Sequence, residues 1–185
     1  MTSHSRHNRK PTQALKLAIA AALLASSAAQ ADETPRTFAL TMYSNGVAAA
    51  PLMSGDYVAA VQQLNTHVTG LDSDSLSTNR CVAYTVTRQI EAARAACNAA
   101  VREAQLAITS LPLSMSYARS EYRGDLALAY SNRAVFEWVS NDAAAAQADL
   151  KRAAAVAPKA AFVARNINAL QSHTKVAQIA VTPQS

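Results

Sequence analysis

The chain is expected to be all-α, built from antiparallel helix hairpins that repeat and stack into a short solenoid. Two observations carry this. Asn79-Arg80-Cys81 returns as Asn132-Arg133-Ala134, an offset of 53 residues, and the same offset takes Ala93 to Ala146, Cys97 to Leu150 and Ala100 to Ala153. A fixed offset through small, apolar and polar positions together means one structural unit used more than once. Between turn signals, the apolar residues recur at helical rather than strand spacing.

Residues 1–31 read as a secretory signal peptide. Arg6, Arg9, Lys10 and Lys16 form a basic start, Leu17 to Ala25 an apolar run, and Ala29-Gln30-Ala31 a cleavage site before Asp32. The run is roughly half the ~20 residues a spanning helix needs. All 12 acids lie at Asp32 or beyond, with 13 of the 17 Lys and Arg residues, so the processed chain has a net charge near +1. The overall pI of 9.5 comes largely from the export signal. It argues for no nucleic-acid partner, and no later stretch argues for stable membrane insertion. The expected location is periplasmic or secreted.

Residues 32–53 form a lead-in. Thr37 to Ser44 (TFALTMYS) alternates weakly, as a short extended segment does, and Ser44-Asn45-Gly46 signals a turn. The helical domain spans 54–172. Helix begins at Ser54-Gly55-Asp56-Tyr57, with Val58, Val61 and Leu64 on one face, and Gly70 with Asp72 to Asp74 breaks it. A helix over 75–88, a tight turn at Gln89-Ile90 and a second helix to about Thr109 follow. Ala92, Ala93, Ala96, Cys97 and Ala100 give the second helix a small-residue face that admits a close neighbour. Leu111 to Ser114 is a loop, because the residue before Pro112 avoids helical geometry. The next helix covers 117–139 with a break at Gly124, and Arg123-Gly124-Asp125 reads as that break and a cap. Ser140-Asn141-Asp142 is a turn and N-cap, Ala143 to Ala157 a helix stopped by Pro158, and 159–172 a last amphipathic helix. Residues 173–185 are expected to be a flexible tail.

A helix, tight turn and helix with alanines on the second member resembles the tetratricopeptide repeat, whose pattern occupies about 34 residues. Tyr130, Ala134, Asn141-Asp142, Ala146, Leu150, Ala153 and Pro158 match it over 127–160. Arg133 replaces a Leu and Glu137 a Tyr, with Phe136 and Trp138 flanking Glu137. A second copy over 74–107 has Cys81, Tyr84, Ala93, Cys97 and Ala100, and Gly55-Asp56-Tyr57, Ala60 and Leu64 form an earlier half-copy. The 53-residue offset is then one repeat plus an insertion at about 105–123. The resemblance implies a scaffold for binding partners.

Two cysteines in an exported chain most often pair. Cys81 and Cys97 each lie 8 residues from a turn near 89, so they face each other across the hairpin, and a disulfide is expected. Metal ligation is not, since His67 and His173 have no second ligand at helical spacing. No catalytic or phosphate-binding motif occurs, and no cofactor is expected. The remaining candidates are polar: Asn79, Asn132 with Arg133, and Arg165 with Asn166 fall at corresponding places, 132 and 166 being one repeat apart. In tetratricopeptide domains of co-chaperones, the similar asparagine lies on the groove and binds a peptide's terminal carboxylate or backbone. The resemblance implies this role for Asn132, with Arg165 as a cation. Asn132 is then an exposed recognition residue whose loss leaves stability nearly unchanged. The competing reading is that these residues cap turns or pair with acids on neighbouring helices.

The function expected from these features is non-enzymatic binding of a protein or peptide partner. Two alternatives stand beside it: an enzyme or accessory subunit acting on the cell envelope, and a structural scaffold within a larger complex.

Overall fold

A computed structural model describes residues 37–67, 73–112, 114–172 and 179–184. The predicted signal peptide lies outside them. Among the described residues there are seven helices and two strands: β1 (Phe38–Tyr43), α1 (Ala49–Ser54), α2 (Tyr57–Thr66), α3 (Ser73–Val86), α4 (Ile90–Ser110), α5 (Ser116–Val139), α6 (Ala143–Val156), α7 (Ala161–Gln171) and β2 (Ile179–Gln184). The chain is mostly helical, as its periodicity predicts. None of the described helices is long and apolar enough to cross a membrane.

Three helix-to-helix turns are built alike. Gly55, Arg88 and Asn141 each take a left-handed conformation, with φ of 77, 57 and 66°. The next residue donates its N–H five residues back: Asp56 to Pro51, Gln89 to Tyr84 and Asp142 to Glu137, at 2.9, 2.9 and 2.8 Å. Each left-handed residue donates three residues back as well. This pair of hydrogen bonds closes a helix by satisfying carbonyls its own ladder leaves open. The following residue then starts the next helix, and Asp56 and Asp142 accept the N–H of Ala59 and Ala145.

The resulting hairpins are α3–α4 and α5–α6. Their facing residues are small: Ala93, Ala96 and Ala100 on α4, Ala146 and Ala153 on α6, all buried. All six residues of the matched pairs at 93/146, 97/150 and 100/153 are buried. Cys81 and Cys97 lie at disulfide distance, with Cα atoms 4.7 Å apart, inside the range a disulfide needs. At the matching places in the second hairpin, Ala134 packs against Leu150 and Ala146.

Residues 105–123, the inserted stretch between the two copies, are mostly helical: they prolong α4 to Ser110 and begin α5 at Ser116. Three expectations are corrected. Helix starts earlier than Ser54, since α1 occupies Ala49–Ser54 within the expected lead-in and Gly55 closes it. Gly124 does not break α5, which runs from 116 to 139 without interruption, and Asp125 accepts a 2.6 Å hydrogen bond from the Tyr43 hydroxyl instead of capping. The tail is not wholly flexible: residues 179–184 form β2, parallel to β1, with Leu40 opposite Val181 and Thr41 opposite Thr182.

Strand β1 lies across the helices and closes the core. Phe38, Leu40 and Met42 are fully buried, in one cluster with Leu52, Leu64, Leu76, Val82 and Val135. Phe38 also meets the Trp138 ring, with centroids 5.5 Å apart. Three such side chains, each removing its apolar surface from water, make the strand part of the core.

Candidate functional site

Helices α3, α5 and α7 each present one asparagine to the edge of β1. Asn79 accepts the N–H of Tyr43 at 2.9 Å and donates to its carbonyl at 3.1 Å. Asn132 does the same with Thr41, at 2.8 and 2.6 Å. Asn166 repeats it with Ala39, at 2.6 and 2.9 Å. A primary amide carries a donor and an acceptor side by side. It therefore matches the N–H and C=O that one residue of an extended strand presents on one edge. Alternate residues present that edge, and the three amides meet residues 39, 41 and 43. The strand runs against the order of the helices, and no β1 side chain takes part in these six bonds.

The row comprises all three predicted asparagines, and the structure places the chain's own strand in it. The expectation that Asn132 is exposed is overturned: it is 1% exposed, and Asn79 and Asn166 are 0%. Asn79 also donates to the Val47 carbonyl and Asn166 to Ser131 Oγ, at 2.9 and 2.8 Å. Gly46 follows from this packing. A Cβ there would lie 2.9 Å from Asn79 Nδ2, closer than real Cβ atoms approach, and a tight 3.0 Å from Ser75 Cβ.

The predicted arginines part from the asparagines. Arg165 joins the strand end, donating from Nε to the Thr37 carbonyl at 3.1 Å. Arg133, one position from Asn132, points between α4 and α6. It makes a two-point ion pair with Asp149, Nε–Oδ2 2.6 Å and Nη2–Oδ1 3.0 Å, and donates from Nη1 to Asn98. Burial opposes its charge, but the Asp149 hydrogen bond and carboxylate outweigh this and hold the guanidinium above its ordinary range. Nearby Glu137 is pushed above the usual carboxylate range by burial, against the attraction of Arg94. Arg133 therefore follows the reading of pairing with acids on neighbouring helices, and Arg80 caps α2 through the Leu64 and His67 carbonyls.

The same geometry fixes which way β2 faces. Residues 39, 41 and 43 spend their main-chain groups on asparagines, so 38, 40 and 42 turn theirs toward β2. In a parallel ladder these bond to the residues flanking their partners. Residues 180, 182 and 184 then face β1, and the main-chain groups of 179, 181 and 183 face outward. Pro183, with no N–H to donate, falls on the outward side, where a strand tolerates proline. Among the described residues the sheet has only these two strands. A cleft of about 460 Å³ lies over it, lined by Thr41, Thr182, Pro183, Phe162 and Arg165.

Sequence reasoning missed the occupant of the row, although the alternation in 37–44 marked an extended segment beside it. No group of three or more His, Cys, Asp or Glu residues among those described is placed to hold a metal ion. Fold and site together define a mostly helical protein that clasps an extended strand with a row of amides. Compared with protein-family models, curated proteins and solved structures, the chain has no significant match.

Proposed function

We propose that this chain is an exported, non-enzymatic protein-binding module of the tetratricopeptide type, which takes up an extended partner segment through main-chain hydrogen bonds. The observation that supports this is the asparagine row. Three amides at matching places bind the main chain of the strand and none of its side chains, as a groove for extended segments requires. The three equivalent helix turns support the repeat reading. The resident segment is β1. Because its apolar residues belong to the core, a partner does not replace it but joins the sheet at the outward edge of β2, adding a strand. The cleft beside Phe162 and Arg165 then receives partner side chains.

The full burial of Phe38, Leu40 and Met42 favours a second reading, in which row and strand serve only to close a structural scaffold. A photo-crosslinking residue at position 183, compared with one at the exposed Lys151 on α6, separates the two. Binding at the sheet edge yields one reproducible crosslinked partner from 183 and not from 151. Val181→Pro, which removes an outward donor and leaves the bonds to β1, abolishes that product without lowering the melting temperature. Equal or absent products from both positions sink the binding reading and leave the scaffold.

A further inference from the structure

Away from the strand, α4, α5 and α6 gather charge that the fold does not balance. Arg102, Arg133 and Arg152, one from each helix, line a cavity of about 450 Å³ together with Asn98, Gln105 and Tyr130. One carboxylate serves two of the three cations. Asp149, with a 4% exposed side chain, takes both contacts from Arg133 and a third from Arg152 Nη1 at 2.7 Å. Arg102 has no hydrogen bond or ion pair among the described residues, and no acid lines the cavity. Tyr130 accepts a hydrogen bond from Gln105 Nε2 at 2.8 Å. Its own hydroxyl proton has no acceptor among the described residues. The cavity thus offers unspent donors from two guanidinium groups and a phenol, with a surplus of two positive charges.

A second cavity, of about 510 Å³, shares Arg102 and Gln105 with the first and continues over Leu106, Ile108 and Leu126. Leu106 is 66% exposed. This ground belongs to the prolonged ends of α4 and α5, which extend an apolar wall past the charged cavity. Cationic and apolar halves that adjoin suit one molecule carrying an oxyanion at one end and hydrocarbon at the other.

We propose that this face binds an anionic amphiphile, a long-chain alkyl carboxylate being the simplest member. Its head sits among Arg102, Arg152 and Tyr130, and its chain runs along Leu106, Ile108 and Leu126. A guanidinium suits the head because its planar fork donates two parallel hydrogen bonds to a carboxylate. Each cavity falls in the size range of small-ligand sites.

The test is calorimetric titration of the purified chain with octanoate, decanoate and dodecanoate below their micelle thresholds. Acetate, inorganic phosphate and 1-decanol serve as comparison probes. The expected result is saturable one-to-one binding that tightens with chain length, by up to about fourfold per methylene. Decanoate should bind at least tenfold tighter than decanol or phosphate. Arg102→Gln should weaken decanoate at least tenfold, and Leu106→Ser should flatten the dependence on chain length. Both residues are exposed, so melting temperatures should hold, and a variant that melts early is replaced by Arg152→Gln or Ile108→Ser. The proposal is overturned by absence of saturable decanoate binding, by affinity independent of chain length, by phosphate or decanol binding as tightly, or by unchanged affinity in the arginine variants.

Discussion

The hairpins α3–α4 and α5–α6 have matching positions and are held by different means. At one pair of places, the first has Cys81 and Cys97 at disulfide distance and the second has Ala134 packed on Leu150. At the next, Arg80 caps a preceding helix and Arg133 bridges to Asp149. The turns differ too: Arg88 takes the left-handed position in one and Asn141 in the other, and Gln89 lacks the side-chain cap that Asp142 makes. What does not differ is the asparagine. Asn79 and Asn132 make the same two bonds to the main chain of β1. A contact between two side chains can be met by several chemistries of similar size. A bond to both main-chain groups of one residue needs a donor and an acceptor at fixed separation, and an amide supplies both.

The most severe way to break this likeness is Asn132→Ala. It leaves the Thr41 N–H and carbonyl buried without partners, and each orphan costs about 1–3 kcal/mol. Denaturant unfolding should show a loss of roughly 2–5 kcal/mol. Asn79→Ala should cost less, because its partner Tyr43 is only half-buried. Equal losses, or none, would show that the row does not hold the strand as its geometry implies.

Removing the cysteine pair should come next. The chain-entropy account gives about 3 kcal/mol for a loop of this length. Cys81→Ala with Cys97→Leu copies the second hairpin onto the first. This pair should recover part of what Cys81→Ala with Cys97→Ala loses, and calorimetry of both under non-reducing conditions checks it. If both variants melt alike, the two hairpins are not interchangeable at these places.

Ala146→Leu forces a branched side chain between α5 and α6, where Ala146 is fully buried. Overpacking should cost on the order of 1–3 kcal/mol. Ala93→Leu should match it to within about 1 kcal/mol if the hairpins share one spacing; a clearly milder Ala93→Leu would place α3 and α4 farther apart. The smallest effect is expected outside the matched segments. A Cβ at Gly124 meets nothing within 4 Å, so Gly124→Ala should stabilise α5 by roughly 0.5–1 kcal/mol. A loss of stability there would mean that the glycine serves a bend in solution.

The chain's local pattern determined the helices from α2 onward, their turns and the hairpin faces, because helical periodicity and caps act within about ten residues; the six residues of α1 are too few to show that periodicity. The Cys81–Cys97 approach was legible for the same reason: an antiparallel hairpin makes equidistant positions meet. The recurrence of Asn79, Asn132 and Asn166 was legible as spacing. Tertiary structure alone decided what they hold. Asn166 meets Ala39 across 127 residues and Asn132 meets Thr41 across 91. An amide fits the main chain of any extended residue, so nothing in its own neighbourhood names its partner. β2 was hidden likewise, since a six-residue strand gains its stability from the neighbour it pairs with. Arg133 illustrates the remaining limit. One step along a helix turned it from the strand to α6, and only the packing of three helices around Asp149 set what it pairs with.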